Sequence, residues 1–134
     1  MNAKKIFFDT NTLLYLFSSD TNKADWISKN IQKSNVISVQ VLNEFTSASL
    51  KKIKISTKEL DEFLDLFLEI FTIKPLDVET FNSGLRISRR YGYHQYDSMI
   101  IAAAIQAGCQ RLYSEDLQHK QVIDKKLQIV NPFI

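Results

Sequence analysis

The sequence predicts an α/β fold in which a mainly parallel sheet is covered by helices on both faces. Short β-prone apolar runs alternate with longer segments of helical periodicity, and strands alternating with helices are the signature of that architecture. Cap and stop residues mark the boundaries between the segments. The 134 residues show no break in composition, so one domain over 1–134 is expected, long enough to bury a real core. Hydrophobic residues make up 45% and charged residues 24%, ordinary globular usage that excludes disorder and fibrous repeats.

Lys4 to Phe8 reads as a buried strand, because Ile6, Phe7 and Phe8 form a compact β-prone run that leaves Asp9 at its C-terminal end. Thr12 to Phe17 reads as a short helix. Asn22, with Asp25 three residues on, marks a capped start for a second helix through about Lys33. Val36 to Val39 is the next strand. From Gln40 to about Lys54, Val41, Leu42, Phe45 and Ala48 keep helical spacing. Ser56 with Glu59 signals a capping box, opening a helix whose Leu60, Phe63, Leu64, Phe67, Leu68 and Phe71 form an apolar stripe. These two helices are expected to pair as a hairpin. Thr72 to Leu76 is a strand and Asp77 an N-cap, with the following helix stopping at Gly92. Tyr96 to Ala107 forms another helix, ended by Gly108, and Arg111 to Ser114 and Gln128 to Val130 are the last strands.

Lysine and arginine number 17 against 15 acids, a balance of only +2, so attraction to a polyanion has to come from local clustering. Cys109 is the only cysteine, which excludes an intrachain disulfide and a Cys-based zinc site and makes a reducing compartment, by default the cytoplasm, the expected setting. Asp9 interrupts the N-terminal apolar run too early for a signal peptide. The apolar stretch Met99 to Ile105 is far shorter than the roughly 20 residues of a bilayer span, so no membrane segment is expected.

Four carboxylates fall in places that call for a reason. In an open parallel sheet, ligands bind beyond the carboxyl ends of the strands, which is where Asp9 and Asp116 lie. Glu44, three residues after Val41 and four before Ala48, sits on or beside the buried stripe of its helix. Asp97, followed at i+3, i+4 and i+7 by Ile100, Ile101 and Ala104, stands in line with a core face at the first turn of a helix. Taken singly, each has an ordinary reading: a turn at Asp9-Thr10-Asn11, a cap or dipole partner at Asp97, a lysine partner for Glu44, a turn start at Asp116. Gathered together they would repel and be driven toward protonation unless a cation neutralised them. All-oxygen ligation without histidine or thiolate suits Mg2+ or Mn2+, ions that engage phosphate oxygens directly.

At these positions the chain resembles the PIN-domain family, specifically the VapC-type toxin ribonucleases of bacterial toxin–antitoxin pairs. Phe8-Asp9-Thr10-Asn11 is similar to the family's opening strand-end motif, and Val41-Leu42-Asn43-Glu44 to its helical glutamate segment. Tyr96-Asp97-Ser98-Met99-Ile100-Ile101-Ala102-Ala103-Ala104 resembles an Asp opening an alanine-rich helix, with Tyr96 where relatives often carry tryptophan. Ser114-Glu115-Asp116-Leu117-Gln118 resembles the final acidic motif, and Ile129-Val130-Asn131-Pro132-Phe133 the closing strand. The resemblance implies a three-layer α/β/α sandwich and metal-dependent hydrolysis of RNA phosphodiester bonds. It also implies homodimerisation and inhibition by a small antitoxin bound across the helical hairpin. It assigns Asp9, Glu44, Asp97 and Asp116 the metal and catalytic roles, gives Asn11 and Ser114 supporting hydrogen bonds, and leaves Glu115 as a fifth acid.

Arg86, Arg89, Arg90, Tyr93, His94 and Gln95, just before Asp97, combine cations for phosphate with rings for stacking and are the candidate RNA contacts, against a solvated helix end as the plainer reading. Lys51, Lys52 and Lys54 read as a solvated helix face. Leu66 and Ile70 widen the apolar stripe beyond what one core face needs, which points to a protein interface. A haloacid-dehalogenase-like phosphatase would need an acid at Asn11, a receiver domain clustered N-terminal acids and a late lysine, and no glycine-rich nucleotide loop occurs. A noncatalytic PIN-like module that binds RNA or a partner remains the alternative from another class, and a PIN nuclease that is not a toxin the alternative within the same class.

Overall fold

Strand β1 (Ile6–Phe8) is apolar throughout, and Phe7 and Phe8 are wholly buried, as a strand covered on both faces requires. In the computed structural model, which describes residues 4–134, it lies inside a six-stranded sheet. The other strands are β2 (Val36–Ser38), β3 (Thr72–Lys74), β4 (Arg111–Tyr113), β5 (Val122–Ile123) and β6 (Leu127–Val130), in the order β3-β2-β1-β4-β6-β5. All neighbours run parallel except β5 and β6. The chain moves outward from β1 to β3 and then crosses back to β4, so the order reverses at β1 and β4. Their C-terminal ends form the crevice in which such sheets bind ligands. The register Phe7↔Leu112 and Phe8↔Tyr113 brings those ends level, and the Asp9 backbone N–H donates to the Tyr113 carbonyl at 2.9 Å.

Helices cover both faces of the sheet, giving the α/β/α sandwich. The first, α1 (Thr10–Leu13), continues into a 3-10 turn (Leu14–Phe17). It starts two residues ahead of the expected Thr12 because the Asp9 side chain caps it, accepting from the Thr10 N–H at 2.8 Å. Helix α2 (Thr21–Asn30) is capped by Asp20, which accepts from the Lys23 N–H, and not by the expected Asn22; it ends before Lys33 because Ile31 is extended. Helix α3 (Val39–Ala48) begins at the Ser38 cap. The single helix expected as far as Lys54 instead widens into a π-helical turn (Ser49–Ile53), closed by Lys54 at φ 60°.

Helix α4 (Thr57–Ile70) has the expected Ser56 cap, whose hydroxyl accepts from the Glu59 N–H at 3.1 Å. It packs on α3 through an aromatic ladder, Phe45 to Phe67 at 4.9 Å and Phe67 to Phe71 at 5.6 Å between centroids, as a hairpin would. Leu68 was expected in that stripe but is 56% exposed, since the ladder follows Phe63, Phe67 and Phe71 around the helix. Helices α5 (Val78–Tyr91) and α6 (Gln95–Gln106) form the last crossover. The expected Asp77 cap and Gly92 stop both hold, Gly92 taking φ 82°. Gly84 lets the two helices approach closely, since a Cβ there would stand 2.8 Å from Met99 Cγ and 3.3 Å from its Cα. Ile100 to Ala104 are all buried, so α6 is apolar nearly all round. The β5–β6 hairpin was not expected from the sequence; Asp124 and Lys125 both adopt positive φ in its three-residue loop. Among the described residues no helix is long and apolar enough to cross a membrane.

Candidate functional site

Each acid reaches the crevice on a different element. Asp9 ends β1, Glu44 lies midway along α3, Asp97 is the third residue of α6, and Asp116 follows β4 by three residues. The cap of α6 is His94, whose Nδ1 accepts from the Tyr96 N–H, so the cap reading of Asp97 is set aside. Asp9 is 6% exposed. One of its oxygens accepts from the Thr10 N–H and the other from the Ser114 hydroxyl, both at 2.8 Å, with Asn11 Nδ2 at 3.3 Å. Asn11 also donates to Asp116 at 3.0 Å and accepts from the Glu115 N–H at 3.2 Å. Ser114 receives the Asp116 N–H at 3.2 Å. Asn11 and Ser114 thus tie the ends of β1 and β4 together and hold two of the four acids.

Glu44 has no lysine partner among the described residues. Its oxygens accept from the Thr10 hydroxyl at 2.8 Å and from Gln40 Nε2 at 3.2 Å. The same Gln40 nitrogen donates to the Tyr96 carbonyl at 3.0 Å, so this buried side chain links α3 to the start of α6 beside Asp97. A cleft of about 390 Å³ opens over the site, with Asn11, Glu44 and Asp116 in its walls.

The acids perturb one another. Burial pushes the Asp9 carboxyl up to about 7, against hydrogen bonds from Ser114 and Thr10 that favour its charge, and Glu44 and Asp97 add repulsion. Asp97 is also raised, first by burial and then by Asp116 and Glu44, with His94 easing it. All four acids therefore share one electrostatic neighbourhood. As arranged, no three histidine, cysteine or acidic side chains among the described residues stand at joint ligating distance for an ion.

The candidate RNA contacts fare differently. Arg86 pairs with Asp124 at 2.6 Å, Arg90 stands 3.9 Å from the same carboxylate, and Tyr93 bonds Gln121. Gln95 keeps its side-chain amide buried, and His94 stacks on Tyr96. Arg89 is exposed and unpaired among the described residues. Lys51 and Lys52, read from the sequence as a solvated face, are exposed and also line the cleft. Sequence reasoning also missed Thr10 and Gln40. A signal for the lysines was present: Glu44, Ser47, Ala48, Lys51 and Lys52 recur at i, i+3, i+4, i+7 and i+8, one helical face, and all five line the cleft.

The PIN domain family model matches residues 6–125. No curated protein sequence matches significantly. Among solved structures, the chain is similar to a toxin–antitoxin complex from Klebsiella pneumoniae, at 20% identity and TM-score 0.72, covering 96% of this chain and 98% of that one. It is similar to a DNA-bound VapBC from Salmonella typhimurium, at 19% identity and TM-score 0.67, covering 95% and 97%. It is also similar to VapC20 of Mycobacterium tuberculosis, a toxin that cleaves the sarcin-ricin loop, at 18% identity and TM-score 0.64, covering 83% and 89%. With the family model spanning nearly all of the sheet and every acid of the crevice, the chain belongs to the PIN domain family.

Proposed function

We propose that this protein is a metal-dependent endoribonuclease, the toxin of a type II toxin–antitoxin pair, using Asp9, Glu44, Asp97 and Asp116 with Mg2+ or Mn2+. The observation that carries the reading is the coupling of these acids across one crevice, with Asp9 held at about 7 by burial and by its neighbours. An all-oxygen donor set whose members resist joint ionisation fits a hard dication. Asp9 and Asp97 would be the primary ligands, with Glu44 and Asp116 completing the site or holding water. When bound, the ion polarises a phosphate oxygen and acidifies a water. The protein's own part is placement: Ser114 and Asn11 orient Asp9 and Asp116, while Thr10 and Gln40 fix Glu44.

The test is RNA cleavage by purified protein with Mg2+ or Mn2+, its arrest by EDTA, and its loss in Asp97→Asn with the fold intact. Cleavage that persists in EDTA would end the metal reading. A noncatalytic binding module is the second reading, favoured by the absence of three acids at joint ligating distance among the described residues. It predicts RNA binding without turnover under every metal.

The partner expectations rest on apolar surface. Leu66, 42% exposed on α4, lines a hollow with Leu16, Ile31, Phe63 and Ile70, and an antitoxin helix would seat there. Leu76, Val78 and Phe81, exposed at the start of α5, are the candidate homodimer face. Copurification with the product of the adjacent reading frame and light scattering of the isolated protein test the two.

A further inference from the structure

The polar stripe on α3 does not end at Glu44. Ser47, Ala48, Lys51 and Lys52 carry it along the cleft wall, with both lysines on the π-helical turn. Their charges are not spent on the protein. The ion pairs among the described residues join Lys74 to Asp77 and Arg86 and Arg90 to Asp124, and neither lysine takes part in one. Two ammonium groups free of ion pairs among the described residues thus share a cleft with Glu44, Asn11 and Asp116, an arrangement that suits a ligand which is itself a repeating anion and brings its own charge to both ends. Arg86 and Arg90 face Asp124, so those cations are partly committed.

From this we propose that Lys51 and Lys52 hold the backbone phosphates of single-stranded RNA next to the cleaved bond, so that the strand leaves the acids along α3 and its π-helical turn and not along Arg86, Arg89 and Arg90. This rests on the ribonuclease reading and adds the strand's path to it. Lysine acts here as a point charge on phosphate, binding without regard to base.

The experiment is fluorescence anisotropy of a labelled single-stranded RNA over a range of salt, with calcium in place of magnesium to neutralise the acids without turnover. Each lost phosphate contact lowers the slope of log Kd against log salt by about 0.7, so Lys51→Gln/Lys52→Gln lowers it by roughly 1.4 and weakens binding on the order of tenfold near physiological salt. Lys51→Arg/Lys52→Arg retains the slope. Lys29→Gln/Lys33→Gln, the same charge change on exposed positions away from the cleft, leaves it unaltered. An unchanged slope in the first variant, an equal loss in the Lys29 and Lys33 control, or a loss confined to Arg89→Gln overturns the proposal. A wild-type protein that shows the lysine-dependent slope yet never cleaves RNA with Mg2+ or Mn2+ supports the lysine contacts while refuting the nuclease reading.

Discussion

Replacing Asp9 by Asn should make the metal-free protein more stable and inactive at once. In the folded chain the carboxyl titrates near 7 instead of 3.8, a gap of about 3 pH units that corresponds to roughly 4 kcal/mol at neutral pH. The sign follows from proton counting. Between pH 4 and 7 the native state binds more protons at this site than the unfolded chain, so the wild type loses stability as pH rises through that window. Asn removes the charge, and its amide oxygen still accepts from Thr10 or Ser114. Allowing for one weakened hydrogen bond, a gain of about 2 kcal/mol or more remains, equivalent to roughly 6 °C in Tm for a chain of this size. The assay is thermal unfolding in EDTA at pH 4, 5.5 and 7, then with added Mg2+. The variant's advantage should vanish near pH 4 and be largest at pH 7. Mg2+ should raise the wild-type Tm, because an ion that binds only the folded state stabilises it, and raise the variant's far less. A variant no more stable than wild type at pH 7 in EDTA, or one that gains as much from Mg2+, would refute the electrostatic account of the crevice.

Three further outcomes are expected. Gln40→Leu removes one donor to Glu44 and the tie to the Tyr96 carbonyl, and RNA cleavage should fall about 10- to 100-fold in kcat with the melting curve little changed. Gly84→Ala drives a Cβ to within 2.8 Å of Met99 Cγ and 3.3 Å of its Cα, so α5 and α6 must part; chemical denaturation should show a loss of about 1 to 3 kcal/mol. Asp124→Asn frees Arg86 and Arg90. Arg86 holds the Asp124 carboxyl below its ordinary value, so the stabilisation exists above that ordinary value and is lost as pH falls through the lowered one. With Arg86 more than half exposed, the loss at pH 7 should be no more than about 1 kcal/mol and should shrink as pH falls below the carboxylate's ordinary value, as paired melts at pH 7 and through the acid range would show.

The order of elements was legible because the signals were local. Ser56, Asp77, Gly92 and Gly108 each bound a helix by their own chemistry, and Phe7 and Phe8 could hardly be elsewhere than in a central strand. Expectations failed where two local signals competed or where tertiary packing decided. Asn22 was read as the cap of the second helix, but the backbone turns two residues earlier, at Asp20, whose carboxylate caps equally well. The π-helical turn after Ala48 has no signature that separates it from a continued α-helix. The edge strand β5 is two residues long and gains its partner only through the turn at Asp124 and Lys125. At the site, the four acids could be picked out because Asp9 and Asp116 fall at strand ends and Glu44 and Asp97 stand in line with apolar helix faces. Thr10 and Gln40 interrupted nothing, and their importance lies in a partner, Glu44, that is distant from Thr10 in sequence.

The sheet order explains why so few residues can make this crevice. Asp9 ends β1, caps α1 and faces the other acids, so the residue that starts the first helix also bears the repulsion of the site. Ser114 reaches it only because β4 lies against β1, and Glu44 only because β2 flanks β1 on the other side and delivers α3 above the strand ends. Asp97 arrives at the first turn of α6, where the helix dipole favours the charge that burial and its acidic neighbours oppose. Moving β4 to the far edge of the sheet would leave every local element intact and scatter the acids. The crevice is therefore a property of the crossover from β3 to β4 as much as of the acids. Breaking that crossover at the α5–α6 contact, as Gly84→Ala does, should weaken the Mg2+-induced rise in Tm along with stability, whereas a destabilising change in α4 remote from the strand ends should lower stability and leave the Mg2+ increment in place.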